Sequence, residues 1–500
     1  MPHGKYRYHY HSLWRCAVLS RDDLNRLVRS SPDSIVELVL VLQQTVHDLS
    51  ERVNELEHQL KKNSRNSSKP PSSDGLKKPP PKPKSLRQQT GHKPGGQSGH
   101  SGATLKQTDS ADIKKTLPVL LCACGSDAIR DTKVVSTSTR QVFELPAPTL
   151  HVTEYLAEVK DCPCCGKRVK AAFPDGVDAP AQYGTGFKAF LAYLNVSHLL
   201  PVNRISTLCE DLFGLPVSGG TIMNAIQKSG DSLEMFEGEV VEALTQASVL
   251  HVDESGIRVE GKLNWLHSAS TEVLTFYGLH QKRGREAMDS FNILPRFNGT
   301  LVHDFWKTYF AYDCKHAMCN THLLRELLFL SEECGQKWSG EFARNLIEMK
   351  RVAEGERNAE VTEKKKKELI KQYRSIMEEG RKENPPQQLK QKKKGKPKRS
   401  KAQNLLNRFQ EYENEVLRFF HDPSIPFTNN LAEQDIRMIK AKQKTSGTFR
   451  TEGGAKTFLR IRGFISTVRK NGKSVYEEMK TTINGRPSLS KLTDSMPPPS

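Results

Sequence analysis

Four short strand-like runs between residues 249 and 304, the first of them β-branched, constrain the fold more than any other feature of the sequence. The first three, at 249–255, 265–269 and 275–279, are separated by gaps of turn length, so they predict an antiparallel meander. A helix-like segment follows at about 286–294 and precedes the fourth run, at 299–304. The order of these elements predicts an α/β domain.

An aspartate stands at the end of the first and of the fourth run, Asp253 and Asp304. If the fourth strand pairs beside the first, the two carboxylates approach each other, which is unfavourable unless a cation lies between them. Mg²⁺ and Mn²⁺ take such oxygen ligands. Two unrelated aspartates at strand-ending turns are the alternative, and these two residues alone do not decide between them. Glu254 points to the opposite face of a continuing strand, so it is left outside this group.

A third carboxylate is expected on a helix near the C-terminus. Glu433, Arg437 and Lys440 are spaced i, i+4 and i+7 and therefore share one helix face. On that face the glutamate would meet a metal ion and the two cations would meet phosphates. A solvated, salt-bridged face is the alternative, but the preceding Asn429 and Asn430 and the upstream aspartates favour the metal site.

The charge balance points to a polyanionic partner, because 76 Lys and Arg residues against 57 Asp and Glu residues give a net charge of +19. The apolar fraction of 36 % is enough to build cores. No apolar run approaches the ~18–20 residues that a bilayer-spanning helix needs. The first residues lack the apolar region of a secretory signal. We therefore expect a cytoplasmic protein without a membrane partner.

Clustered cysteines predict a zinc site in this compartment, where thiols stay reduced. Cys162 and Cys165 form a Cys-x-x-Cys turn, whereas Cys122 and Cys124 have one residue fewer between them. A structural four-thiolate Zn²⁺ site is the first interpretation, and a degenerate pair of turns that binds nothing is the alternative. The runs at 140–146 and 151–155 predict short strands, which would complete a small zinc-ribbon-like module.

Apolar residues at heptad spacing between residues 35 and 60 predict a parallel two-stranded coiled coil, and hence a homodimer or higher oligomer. An amphipathic helix packed on its own domain is the alternative. The Lys-, Pro-, Ser- and Gly-rich segment that follows cannot bury a core and is either a solvated linker or a DNA-binding arm. A second basic stretch, at about 364–401, is also predicted to be disordered. Residues 204–227 have the outline of a helix–turn–helix, with an ordinary helical pair as the alternative.

Four motifs resemble one protein family, the transposases of the bacterial insertion sequence 66 family. They are His251–Glu254, Val302–Tyr309, Cys319–Glu326 and Asn429–Arg437. The resemblance implies a ribonuclease-H-like catalytic core whose triad would be Asp253, Asp304 and Glu433. It also implies two Mg²⁺ or Mn²⁺ ions and, as DNA partners, the terminal inverted repeats of the element and a target. The protein would be cytoplasmic in a bacterium and bound to the nucleoid through DNA, and the need for accessory proteins of the same element stays open.

The implied activity is cleavage of a DNA strand at the element end and transfer of the freed 3′-OH to target DNA. Arg437 and Lys440 would hold phosphates. His322 and Arg325, at i and i+3 of a helix, would contact DNA or support the ligands, with helix packing as an equal alternative. Two other functions are open: a nuclease of the same fold that does not transpose, and a zinc-dependent DNA-binding protein without chemistry.

The predicted organisation has seven parts. They are an unassigned extension at 1–34, a coiled-coil helix at 35–60, a basic linker at 61–112, a cysteine-rich module at 113–175, a helical region at 176–245, a catalytic domain at 246–455 with an insertion at about 330–415, and a small C-terminal region at 456–500.

Overall fold

The structure is a computed structural model that describes residues 32–61, 105–355, 359–385, 399–485 and 487–490, together with four isolated positions between 22 and 29. The chain divides into two compact units. We call residues 85–319 and 417–500 the sheet unit, and residues 1–84 and 320–416 the helical unit. Among the helices that the structure describes, none has the length and hydropathy needed to cross a membrane.

Up to residue 318 the elements include all of the described strands, in groups separated by helices. In chain order they are α1 (Pro32–Leu60), β1 (Val159–Asp161), β2 (Arg168–Lys170), α2 (Thr185–Ala192, continued by a π turn at Tyr193–Ser197), α3 (Val202–Phe213), α4 (Gly219–Ser232), α5 (Glu234–Thr245), β3 (Val249–Val259), β4 (Lys262–Ser270), β5 (Thr275–His280), α6 (Arg285–Ser290), β6 (Thr300–His303) and β7 (Lys315–Met318).

The remainder is helical. In chain order it contains α7 (Asn320–Cys334), α8 (Lys337–Gly355), α9 (Ala359–Glu383), α10 (Lys401–Glu411), α11 (Glu413–Val416), α12 (Arg418–His421), α13 (Asn430–Ser446), α14 (Glu452–Lys470) and α15 (Val475–Asn484).

A five-stranded mixed sheet organises the sheet unit, in the order β5-β4-β3-β6-β7. Strands β3, β4 and β5 are antiparallel neighbours, so the predicted meander is confirmed. The β3–β4 turn is two residues long, and Glu260 and Gly261 both have positive φ, at 54° and 74°, as a type I′ turn requires. On the other side of β3, β6 pairs in parallel, and β7 pairs in parallel with β6. The fourth predicted strand therefore lies beside the first.

The core of the sheet unit is built around α14. Eleven residues of this helix are buried, which is typical of a helix enclosed on all sides. Phe464 meets Phe236 of α5 edge to face at 5.1 Å. Gly230 of α4 lies so close to Thr457 that an added Cβ would come within 2.5 Å of its Cγ2. Helices α2–α5, α14 and α15 thus share one core with the sheet, and α14 runs across the domain boundary predicted at 455/456.

Helices α3 and α4 have the outline that the sequence predicts for residues 204–227. Gly214 ends α3 in the left-handed conformation, with φ 63°. Ser218 caps α4 by accepting a hydrogen bond from the Thr221 N–H at 3.1 Å. One face of α4 is buried in the core through Ile222 and Ile226. The pair is therefore part of the scaffold, and a role in DNA binding stays a prediction.

The helical unit is held together by aromatic packing between α8, α9 and α10. The Phe342 ring is tilted against those of Phe409 and Tyr373, with ring centres 4.2 Å and 4.7 Å away. Tyr373 also donates a hydrogen bond to the Phe409 carbonyl oxygen at 2.9 Å. The prediction that residues 364–401 are disordered is wrong for the lysine run at its start, because α9 buries Leu369, Tyr373 and Met377 at i, i+4 and i+8. Residues 386–398 lie outside the described part of the chain.

The N-terminal helix α1 extends over 29 residues, in agreement with the predicted helix. Seven of its predicted heptad residues are exposed, by 45–74 %: Val39, Leu42, Val46, Leu49, Val53, Leu56 and Leu60. Most of the predicted basic linker, residues 62–104, lies outside the described residues.

The cysteine-rich module differs from its prediction in where its strands lie. Residues 140–146 and 151–155 are not strands. Instead, β1 and β2 pair antiparallel on either side of the Cys-x-x-Cys turn. Local pairing across a tight turn needs little chain entropy, whereas Pro146 and Pro148 interrupt the expected runs.

Candidate active site

The sheet places Asp253 and Asp304 side by side. The parallel register of β3 and β6 pairs His251 with Val302, so two residues further on Asp253 stands across from Asp304, just beyond the end of β6. Neighbouring strands lie ~4.8 Å apart. The Asp253 carboxylate accepts the Glu254 N–H at 2.9 Å, and the Asp304 carboxylate accepts the Trp306 N–H at 3.0 Å. Both carboxylates are therefore oriented by main-chain donors.

The charges that act on Asp253 include that of Glu433. The pKa of Asp253 is raised well above its usual value, first by burial and then by the charges of Glu254, Asp304 and Glu433. Strand β3, the end of β6 and helix α13 each supply one of the carboxylates predicted at this centre. Several carboxylates that oppose one another's ionisation are typical of a site that holds a cation.

Asn429 ties the start of α13 to β3. Its side chain donates to the Val252 carbonyl oxygen at 2.7 Å and accepts from the His251 ring at 2.8 Å. Its main-chain N–H donates to the Cys319 sulfur at 3.2 Å. Because the Asn429 amide nitrogen bonds a carbonyl, its oxygen must be the acceptor, so His251 carries a proton on Nδ1. These bonds set the position from which Glu433, four residues on, faces β3.

His303, the residue before Asp304, is fully buried and neutral. Burial, with a contribution from His316, lowers the pKa of His303 to about 3. Its Nδ1 donates to the Asp304 carbonyl oxygen, and its Nε2 lies 3.1 Å from His316 Nδ1. The main chain at the end of β6 is thus held by side chains of the sheet itself.

The basic residues of α13 have different environments. Arg437 is exposed, as expected for a residue that meets DNA. Lys440 is half-buried and donates to the Gly256 carbonyl oxygen, so in this structure it supports β3. Burial lowers the pKa of Lys440, against the opposing effect of the nearby Asp253 charge. The prediction that Lys440 holds phosphates stays a prediction, and the structure adds this main-chain contact.

Two further acidic residues, Asp435 and Glu326, lie within the family motifs, and both are bound to basic side chains. Asp435 pairs with Lys470 at 2.8 Å, and the Ser466 hydroxyl also donates to it. In the helical unit, Glu326 pairs with Arg408. His322 and Arg325 lie half-buried on α7 in that unit, and their roles in DNA binding stay predictions.

Glu254 faces the side of β3 opposite Asp253, as the strand alternation predicts. It is buried, and it accepts hydrogen bonds from the Tyr309 hydroxyl and from Nε of Arg283, the latter at 3.0 Å. Burial and the charge of Asp304 raise the pKa of Glu254, while its two donors oppose that effect. The sequence carried no local signal for this network, because its members lie 26 to 55 residues apart.

The two cysteine turns each draw their own thiols together. The pKa of Cys124 is lowered by the Ser126 main chain and then by Cys122, and the pKa of Cys162 is lowered by main-chain donors at Cys165 and Cys164. Over the described residues, the thiols of the two turns are not gathered within 4.8 Å of one another. The Zn²⁺ site of Cys122, Cys124, Cys162 and Cys165 stays a prediction.

The sheet unit is an α/β fold in which a mixed sheet carries two strand-end aspartates and a helix carries the glutamate, and such a set of carboxylates is chemically suited to a divalent cation. Residues 180–457, more than half of the chain and inclusive of all three carboxylates, match the family described as Transposase IS66 family, and the chain belongs to that family. Residues 22–106 match a second family, whose function is unknown. No curated protein matches the chain.

Proposed function

We propose that this transposase cuts a DNA strand at the ends of an insertion sequence and joins the freed 3′-OH to target DNA, with Asp253, Asp304 and Glu433 as ligands for two divalent ions. The observation that carries the proposal is the parallel register of β3 and β6, which sets Asp253 across from Asp304 inside the region that matches the transposase family. The raised pKa of Asp253, caused by burial and by the neighbouring carboxylates, supports it. A chain gains nothing in stability from gathering such charges, so a function that requires a cation accounts for them best.

The donor set fits Mg²⁺ or Mn²⁺. All three side chains offer carboxylate oxygens, the ligands that these hard ions prefer. When bound, such ions lower the pKa of an attacking water and stabilise the leaving oxygen. The protein's own part is to hold the three carboxylates on rigid elements, since main-chain donors orient both aspartates and Asn429 anchors the helix of Glu433.

Two displacements at phosphorus make up the proposed reaction. In the first, the oxygen of water bonds to phosphorus, the bond from phosphorus to the 3′ oxygen breaks, and that oxygen leaves as a 3′-OH while the water's second proton passes to solvent. In the second, the oxygen of the new 3′-OH bonds to a phosphorus of target DNA and loses its proton, while the bond from that phosphorus to the target's own 3′ oxygen breaks and the leaving oxygen takes up one proton. Neither displacement needs a covalent enzyme intermediate.

DNA binding is supported by charge and by the exposed face of α13. The net charge of +19 favours a polyanion, and Arg437 stands one helical turn beyond Glu433 on the same face. Phosphate contacts of this kind orient a duplex without reading its sequence. Other residues would recognise the base sequence of the terminal repeats. The exposed residues Met223 and Asn224 of α4 are candidates for these base contacts.

Self-association through α1 is also part of the proposal. Its exposed heptad residues would leave a stripe of large apolar side chains in water, whereas a second copy of the same helix buries them in a parallel coiled coil. Two catalytic centres joined in this way would suit an element with two ends.

The test is cleavage and strand transfer of a labelled element-end duplex with Mg²⁺ or Mn²⁺. We expect metal-dependent products from the wild type and a loss of more than about a hundredfold in Asp304→Asn and Glu433→Gln, because outer-sphere changes alone reduce metal sites ten- to hundredfold. Asp313→Asn, at an exposed position after the same strand, is the matched control and should keep full activity. Activity that survives Glu433→Gln contradicts the triad. Cleavage without joining makes the protein a nuclease.

A further inference from the structure

Arg283 is held in an unusually ordered environment for a partly exposed arginine. Its guanidinium carbon lies 4.3 Å from the centre of the Trp306 ring and 5.0 Å from that of Trp265. Its Nε and Nη2 both donate to one oxygen of the buried Glu254. Cation–π contacts with two indoles and an ion pair with a buried carboxylate fix the plane of the guanidinium. We call Arg283, Trp265, Trp306 and Glu254 the arginine clamp.

One part of this guanidinium stays available. The Arg283 side chain is 40 % exposed, whereas that of Glu254 is 2 % exposed. In the described part of the chain, Arg283 Nη1 makes no hydrogen bond. An arginine side chain normally loses rotamer entropy when it is immobilised. Here the clamp has already ordered the side chain, so a ligand of Nη1 would bind without that loss.

The arginine clamp is linked to both aspartates of the acidic centre. Trp306 is two residues beyond Asp304 and donates its main-chain N–H to that carboxylate at 3.0 Å. Glu254 directly follows Asp253 on β3 and also accepts a hydrogen bond from the buried Tyr309. Any movement of Arg283 is therefore resisted by the same segments that carry the two carboxylates.

We propose that Arg283 binds a backbone phosphate of the DNA strand next to the acidic centre. This inference rests on the proposed function, since it takes DNA as the ligand. A phosphodiester that approaches several carboxylates is repelled. Arg283 lies across β3 from Asp253, on the Glu254 face, but it packs on Trp306, whose main-chain N–H binds the Asp304 carboxylate. Its fixed charge therefore offsets part of that repulsion from the Asp304 side of the centre. A planar guanidinium is also better suited to phosphate than an ammonium group is. Arg283 thus offers a cation that can bind phosphate near the carboxylates, whereas the Lys440 ammonium is bonded to the Gly256 carbonyl oxygen.

The test measures binding of a labelled element-end duplex in EDTA, so that it does not depend on catalysis. We expect Arg283→Ala to weaken binding about tenfold and to reduce the slope of log K against log salt by about 0.7–0.9, the value for one phosphate contact. Arg283→Lys should recover only part of the loss, because a lysine lacks the planar fork. Arg285→Ala, two residues away and exposed, is the matched control and should bind as the wild type.

Removal of Arg283 leaves Glu254 buried without its cation, which alone can destabilise the fold. The double variant Glu254→Gln with Arg283→Ala removes that charge and keeps the test valid. In addition, single methylphosphonate substitutions along the duplex neutralise one phosphate at a time. One of them should weaken the wild type and leave the Arg283→Ala variant unaffected.

The outcomes separate this proposal from the function on which it rests. Arg283→Ala and the double variant could both keep the wild-type salt slope and respond to every methylphosphonate as the wild type does. Arg283 would then be only a structural residue, and the inference would be wrong. If the slope changes as expected but the wild type shows no metal-dependent cleavage, the phosphate contact stands and the proposed chemistry fails.

Discussion

Replacement of Asn429 by alanine should detach the helix of Glu433 from the strand of Asp253. The side chain is 3 % exposed and makes hydrogen bonds of 2.7 Å and 2.8 Å to Val252 and His251. Asn429→Ala leaves a buried carbonyl oxygen and a buried ring N–H without partners. Each such group costs about 1–3 kcal/mol, so the free energy of unfolding should fall by about 2–6 kcal/mol.

The assay combines urea unfolding with metal-dependent cleavage at a temperature where the variant is still folded. We expect Asn429→Ala to lose both stability and cleavage, because Glu433 loses its anchored position. Asn429→Asp should behave similarly, since a carboxylate oxygen would face the Val252 carbonyl. Asn430→Ala, at the exposed neighbouring position, should stay within about 0.5 kcal/mol of the wild type. A stable, fully active Asn429→Ala variant would refute the anchoring argument.

Three further predictions concern the metal, the oligomer and the zinc module. Because the folded-state pKa of Asp253 is raised, its contribution to stability is present at low pH and is lost as pH rises through that pKa. Asp253→Asn should therefore stabilise the metal-free protein increasingly as pH rises. In thermal melts, Mg²⁺ should stabilise only the wild type. Leu49→Asp should reduce the mass measured by light scattering, whereas Gln44→Asp, outside the apolar heptad positions of the same helix, should not. An unchanged mass in both variants would show that α1 does not hold the oligomer together. Metal analysis of the purified protein should find that Cys162→Ser has lost its bound zinc and that Cys164→Ser has kept it. Equal zinc contents in the two variants would contradict the predicted ligand set.

Four of the five strands of the central sheet could be predicted from the sequence because their signals are local, whereas the edge strand β7 was missed. The first three strands are joined by short turns, so their order along the chain is also their pairing. The two aspartates end strand-like runs, and only the pairing of β6 beside β3 was needed to bring them together. Glu433 followed from helical spacing together with the family motifs.

Contacts between distant segments could not be predicted in this way. Asn429 bonds residues 177 and 178 positions away, and no periodicity encodes such a pair. Lys440 has the spacing of a phosphate-binding residue, yet the approach of β3 gives it a main-chain partner. Residues Lys364–Lys367 look like a solvated basic run, but packing further along α9 makes the segment helical. In each case tertiary packing decided what local composition left undetermined.

Binding of Mn²⁺ to the protein without DNA tests the central claim most directly, since it needs neither the element sequence nor a partner. Electron paramagnetic resonance titrations would compare the wild type with Asp253→Asn, Asp304→Asn and Glu433→Gln. The convergence of three carboxylates predicts that each variant binds Mn²⁺ at least about tenfold more weakly than the wild type. Wild-type affinity in Glu433→Gln would show that α13 does not contribute to the site and would contradict the account.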